Sequence, residues 1–219
     1  MLVLDVSGSM LGAPIAALRV AAAKFCTDVM AADGTNYVAI VTYHDFASVL
    51  VPFTTNLQEL LSAISTLTEL SSTNTNAGLV AADTLLSAIP DGSNVIKNVV
   101  KMSDGMPNMG SANSSGPYTW TDYAGYLYAN AAYHTAALMR NKGITIYSLG
   151  FFHDLWESEL PFARRFMTDL AGSVSRYWEV VDPNDLEFIF GGIADDIVNP
   201  LDCWIQPRWR CGKYDRRSA

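Results

Sequence analysis

Short apolar runs alternate along this chain with stretches whose apolar residues recur at helical spacing, the pattern of strands alternating with amphipathic helices. The first run, residues 2–4, stops at Asp5. Helical spacing follows at Ile15, Leu18, Ala22, Phe25 and Val29, with Pro14 suited to a first turn. Residues 37–43 and 47–53 both read as strands, and only His44, Asp45 and Phe46 separate them. That is too short for a crossover, so the two must pair as an antiparallel hairpin. Helical spacing returns at Leu57, Leu60, Leu61, Ile64 and Leu67, and again at Leu79, Ala82, Leu85, Leu86 and Ile89, before the turn Pro90-Asp91-Gly92. Strands are predicted over 95–102, 144–150 and 177–181. Helices are predicted over 123–141, with an apolar stripe of Leu127, Ala131, His134 and Leu138, over 162–170 up to Gly172, and after the cap Asp182-Pro183-Asn184-Asp185.

The hairpin has a topological consequence. A reversed strand delivers the chain to the far end of the sheet, and the next helix carries it back. The loop 71–76 therefore emerges beside the turn after Asp5, and the strand 95–102 rises to stop at Ser103-Asp104-Gly105. Three polar loops meet at one edge, where ligands of open parallel sheets bind.

The first of these loops reads Asp5-Val6-Ser7-Gly8-Ser9-Met10. A carboxylate and two hydroxyls at alternate positions offer three oxygens to a hard cation such as Mg²⁺. Gly8 permits a backbone conformation that a side chain would resist. Taken alone, the turn reads more readily as the cap of the following helix. The convergence of the loops decides for a metal.

Asp5-x-Ser7-x-Ser9, the loop Ser72-Thr73-Asn74-Thr75 and the strand-terminal Asp104-Gly105 resemble the von Willebrand factor A (vWA) domain. The resemblance covers residues 1–199, and departs from many members in having Ser71-Ser72 where they have glycines. It implies a Rossmann-like, doubly wound α/β fold, mainly parallel with one antiparallel edge strand, in the order 3-2-1-4-5-6. It also implies a complete metal-ion-dependent adhesion site. Ser7 and Ser9 then bind the ion directly, Thr73 directly or through water, and Asp5 and Asp104 through water and by orienting the hydroxyls. Thr75 is the alternative ligand, or a helix cap. Mg²⁺ is the expected ion, with Mn²⁺ or Ca²⁺ as substitutes. The expected partner is a protein presenting an Asp or Glu carboxylate, touched also by Met10, Asn74, Gly105, His153 and Asp154. The implied function is adhesion by a bacterial surface or secreted protein. An intracellular assembly module working with an AAA+ ATPase, as in metal chelatases, is the alternative.

Composition narrows the field. Of 219 residues, 50% are hydrophobic and 16% charged, which makes a packed globule and not a disordered chain. Residues 1–199 are expected to form the domain and 200–219 a tail or linker, with Met1 abutting a truncated first strand. No apolar run is long enough to insert in a membrane. A net charge of −8 argues against nucleic acid, which needs a basic face. Residues 203–219 carry five basic side chains and one acid, leaving −12 on the rest. Cys26 reads as a buried apolar residue, and Cys203 and Cys211 can pair in an oxidising compartment. The chain has no Gly-x-Ser-x-Gly elbow, His-Glu-x-x-His helix or Walker loop, so binding and not catalysis is the expectation.

Overall fold

The computed structural model describes residues 1–90, 94–152 and 155–199. Six strands form one sheet: β1 (Leu2–Asp5), β2 (Val38–Tyr43), β3 (Ala47–Thr54), β4 (Asn98–Ser103), β5 (Thr145–Phe151) and β6 (Tyr177–Val180). Their order is β3-β2-β1-β4-β5-β6. All neighbours run parallel except β2 and β3, so the predicted order and the single reversed edge strand are both present. Pro52, which has no N–H to give a ladder, is tolerated because β3 is an edge strand with an irregular register.

Alternation along the central strands sorts the core into two layers. Leu2, Leu4, Ile40, Val100, Met102 and Leu149 face α1 (Ala13–Ala31), α2 (Leu57–Ser65) and α6 (Leu186–Val198). Val3, Val41, Tyr43, Val99 and Ile146 face α3 (Thr75–Ser87), α4 (Tyr126–Asn141) and α5 (Leu160–Ala171). Because helices cover both faces, β1 and β2 are buried at every position, as their unbroken apolar runs require.

Two readings of helices change. The buried face of α4 is Ala129, Ala132, Ala136 and Met139, while His134 and Leu138 are exposed. Small side chains let α4 lie close against α3, and this outweighs the bulkier stripe chosen from the sequence. Helix α3 begins at Thr75, and its cap is Asn74 and not Thr75: the Asn74 Oδ1 accepts from the Ala77 N–H at 3.0 Å. The turn at 91–92, His153, Asp154, and the tail with its Cys203–Cys211 pair lie outside the described residues.

At Gly78 of α3, an added Cβ would stand 2.7 Å from Tyr43 Cδ1 and 3.1 Å from Val3 Cγ1. The tyrosine is itself fixed, its hydroxyl donating to the Met102 carbonyl at 3.0 Å. Gly78→Ala should therefore destabilise the domain by ~1–3 kcal/mol despite the better helix propensity of alanine. Urea denaturation checks this; an unchanged or raised midpoint would refute the close packing of α3.

Candidate metal centre

The site residues come from the carboxyl ends of β1 and β4 and from the loop before α3. Asp5 ends β1 and has no exposed surface. Its Oδ1 accepts from the Ser7 N–H at 2.9 Å, and its Oδ2 accepts from the Ser103 hydroxyl at the end of β4. Both oxygens are thus engaged, and the carboxylate joins two strand ends. Ser7 is buried and Ser9 exposed, with their hydroxyl oxygens 3.2 Å apart. The Ser9 hydroxyl in turn donates to Asp104 Oδ1 at 2.9 Å.

Main-chain bonds hold the second loop against the first. The Leu70 N–H donates to Val6 O at 2.7 Å and the Gly8 N–H to Ser71 O at 3.0 Å. This contact is why Gly8 is needed: a Cβ there would lie 3.1 Å from Leu70 O and 3.2 Å from Ser71 O. Close approach is the reason, since Gly8 does not have the positive φ that the sequence reading implied. Asn108 clamps the third loop to the second. Its Oδ1 accepts from the Thr73 N–H at 2.9 Å, and its N–H donates to Thr73 O at 3.1 Å.

Asp5, Ser7, Ser9, Thr73 and Asp104 therefore sit on loops bonded to one another at one sheet edge. The expected rim residues divide. Gly105 is half-buried beside the site, with open space where a side chain would point. Met10 is a correction: it is fully buried in the core under the turn and cannot touch a partner. Asn74 is half-buried, and both ends of its amide are used, Oδ1 as the cap and Nδ2 on Asp45 O at 2.9 Å. Thr75 is not the cap; it is fully buried at the first position of α3, and its hydroxyl has no partner.

Two groups were not identified in advance. Asp45 in the hairpin accepts from the Ser71 hydroxyl at 2.8 Å and the Ser72 N–H at 2.9 Å, bracing the Thr73 loop. Asn108 has no motif around it to give it away.

Residues 1–106 match the family model of the von Willebrand factor type A domain. The fold matches the vWF domain of the type V pili tip protein Mfa5 from Porphyromonas gingivalis, with a TM-score of 0.75 and 19% identity. That match covers 94% of this chain and 95% of that one. The fold is therefore that of vWA domain structures, and the family match covers residues 1–106. The pilus adhesin SpaC from Lactobacillus rhamnosus GG has a TM-score of 0.72 and 22% identity over 90% of this chain and 29% of its own. The PilB minor pilin from Streptococcus sanguinis gives 0.72 and 16% over 94% and 62%. The chain thus spans less than two thirds of each of these two pilus proteins. No curated protein matches its sequence.

Electrostatics separate the two acids of the site. Burial, then the charge of Asp5, pushes the Asp104 carboxyl up to about 7. Its Oδ2 is buried and has no hydrogen-bond partner. Such an oxygen is costly unless something charged or protonated meets it. Beneath the site lies Lys101, fully buried, its Nζ 3.4 Å from Met167 Sδ and over the rings of Tyr43 and Phe166. Burial pushes this lysine down to about 7, against the opposing pull of Asp5 and Asp104. Among the described residues there is no cluster of three or more His, Cys, Asp or Glu that could hold a metal. The donor set is instead hydroxyl-rich, with two acids, and it fits a hard cation.

A carboxyl raised in the fold binds its proton more tightly there than in the unfolded chain. Its stabilising contribution is complete below the ordinary value of 3.8 and falls as the pH rises to about 7. Without metal, Asp104→Asn should be more stable than the parent near pH 8, by on the order of 2 kcal/mol, and equal to it near pH 4. Thermal melts in EDTA at both pH values test this. A destabilised Asn variant near pH 8 would show that ionised Asp104 is well satisfied in the fold.

Proposed function

We propose that this chain is a metal-dependent protein-binding domain of a surface or secreted bacterial adhesin. The observation that carries the reading is the buried, unpartnered Asp104 Oδ2, on a loop joined through Ser9 to the Asp5 turn, to which the Thr73 loop is bonded in turn. Ser7, Ser9 and Thr73 would hold a divalent cation through neutral hydroxyl oxygens, with Mg²⁺ favoured and Mn²⁺ or Ca²⁺ as substitutes. When bound, the ion supplies a Lewis acid for a carboxylate of another protein.

The chain's own residues do the positioning. Asp5, held by Ser7 N–H and Ser103, is fixed as an orienting acceptor. Asp104 turns the Ser9 hydroxyl by accepting from it, and Asn108 fixes the backbone at Thr73. With neutral groups as direct ligands, much of the charge on a dication stays available to an incoming anion. This reading makes the domain a binder and not an enzyme. Likeness in fold to a pilus tip protein, a pilus adhesin and a minor pilin supports adhesion at a cell surface. In keeping with that, no helix among the described residues is long and apolar enough to cross a membrane.

Titration with Mg²⁺ and Mn²⁺ by calorimetry should give one site per chain, and saturating ion should raise the melting temperature. Asp104→Ala and Ser9→Ala should each weaken the ion by about tenfold or more, while Lys97→Ala, at the opposite end of β4, changes little. Equal titrations of the parent and Asp104→Ala would refute the proposed site.

A further inference from the structure

The edge that carries the candidate site also collects exposed apolar side chains. Leu11 follows the Asp5 turn, Phe46 is in the β2–β3 hairpin and Leu70 is in the loop bonded to Val6. Met109 and Trp120 are in the segment after Asp104, and Trp156 follows β5. The two tryptophans are 69% and 78% exposed, far more than their size would lead one to expect without a partner. Tyr123 O–H donates to Pro107 O at 3.1 Å, which ties the Trp120 segment to the loop that carries Asp104. β5 lies beside β4 in the sheet, and so brings the Trp156 loop next to the same segment. The other exposed apolar residues are scattered over α1, α3, α4, α6, β3 and the opposite edge, except Val181 after β6.

Charge on these loops has one sign. Asp45, Glu69, Asp122, Glu157, Glu159 and Asp182 all belong to them, and none of their described residues is a lysine or arginine. The guanidinium that reaches them from α5, Arg165, is held by Asp122 at 3.2 Å and by Pro117 O at 2.9 Å. Arg19 also reaches them from α1, donating to Leu67 O, so the acids that no cation pairs are those that would repel an anionic partner away from a bound cation. Basic side chains would meet the acids, and could lie over the open indole faces.

Resting on the metal-dependent reading above, we infer that this edge recognises a basic protein segment: one Asp or Glu for the ion, flanked by Arg or Lys and by apolar side chains for the tryptophans. The carboxylate supplies dependence on the metal, and the flanks supply selection. Nucleic acid and acidic protein surfaces are rejected by the same field.

The test uses three short synthetic peptides, titrated into the protein in Mg²⁺ and in EDTA. One has a single Asp between Arg and Phe residues, the second replaces each Arg by Glu, and the third replaces the Asp by Asn. Calorimetry and tryptophan fluorescence read the binding. The Arg peptide should bind in Mg²⁺ at least roughly tenfold more tightly than either twin, and weaken as salt is raised. The exposed double variant Trp120→Ser, Trp156→Ser, and separately Glu157→Lys, should each weaken it by roughly fivefold or more and leave the Mg²⁺ titration unchanged. Equal, Mg²⁺-dependent binding of the Arg and Glu peptides would overturn this inference and leave the proposed function standing. Binding that ignores Mg²⁺ and the Asp would overturn both. If no peptide binds, or if the tryptophans respond only to neutral oligosaccharides, the edge is not a basic-segment site and the inference fails.

Discussion

Three residues between β2 and β3 cannot carry the chain across a sheet, so β3 must return alongside β2, and that reversal sets where every later loop falls. Without it, the chain would reach α2 from the other edge, and the Thr73 loop would not face the Asp5 turn. With it, the hairpin and the loop before α3 close on the end of β1. Asn74 N–H donates to His44 O at 2.8 Å, Val6 N–H to Tyr43 O at 3.0 Å, and Leu70 N–H to Val6 O at 2.7 Å. The backbone thus builds a floor for the site before any functional side chain is considered.

On that floor the two acids have unlike surroundings. Asp5 has each oxygen engaged once, by a backbone N–H and by a serine hydroxyl, a fixed acceptor inside the sheet. Asp104 has one oxygen occupied by Ser9 and one left over, and both burial and its neighbour favour a proton on it. A cation at the edge would relieve this cost, which is the physical link between the fold and the proposed adhesion. It also explains why direct ligands should be hydroxyls: more carboxylates in contact would hold the ion harder but leave less charge for a partner.

Much of this was legible because it rests on period and chain length. The apolar runs at 2–4, 37–43 and 144–150 supply β1, β2 and β5, which are covered on both faces, and the three-residue hairpin alone gave the reversal. What escaped depends on contacts between distant segments. Asn108 acts only because its loop meets Thr73. Lys101 reads as a charge on a strand, yet it lies wholly inside against Met167 and two rings. Met10 looks like an exposed neighbour of the serines, but the short 3-10 turn at Gly8–Met10 rotates it into the core. In α4 the sequence favours bulk, whereas packing against α3 favours alanine. Local pattern reports which residues can be buried; only the assembled layers decide which face is.

The central claim is that one divalent cation sits among these particular hydroxyls. Anomalous scattering from crystals grown with Mn²⁺ tests it most directly. The account predicts one strong peak bounded by the hydroxyl oxygens of Ser7, Ser9 and Thr73, with Asp104 close by and Asp5 behind it. A fully occupied peak elsewhere, or none at saturating Mn²⁺ with these loops free of lattice contacts, would contradict it.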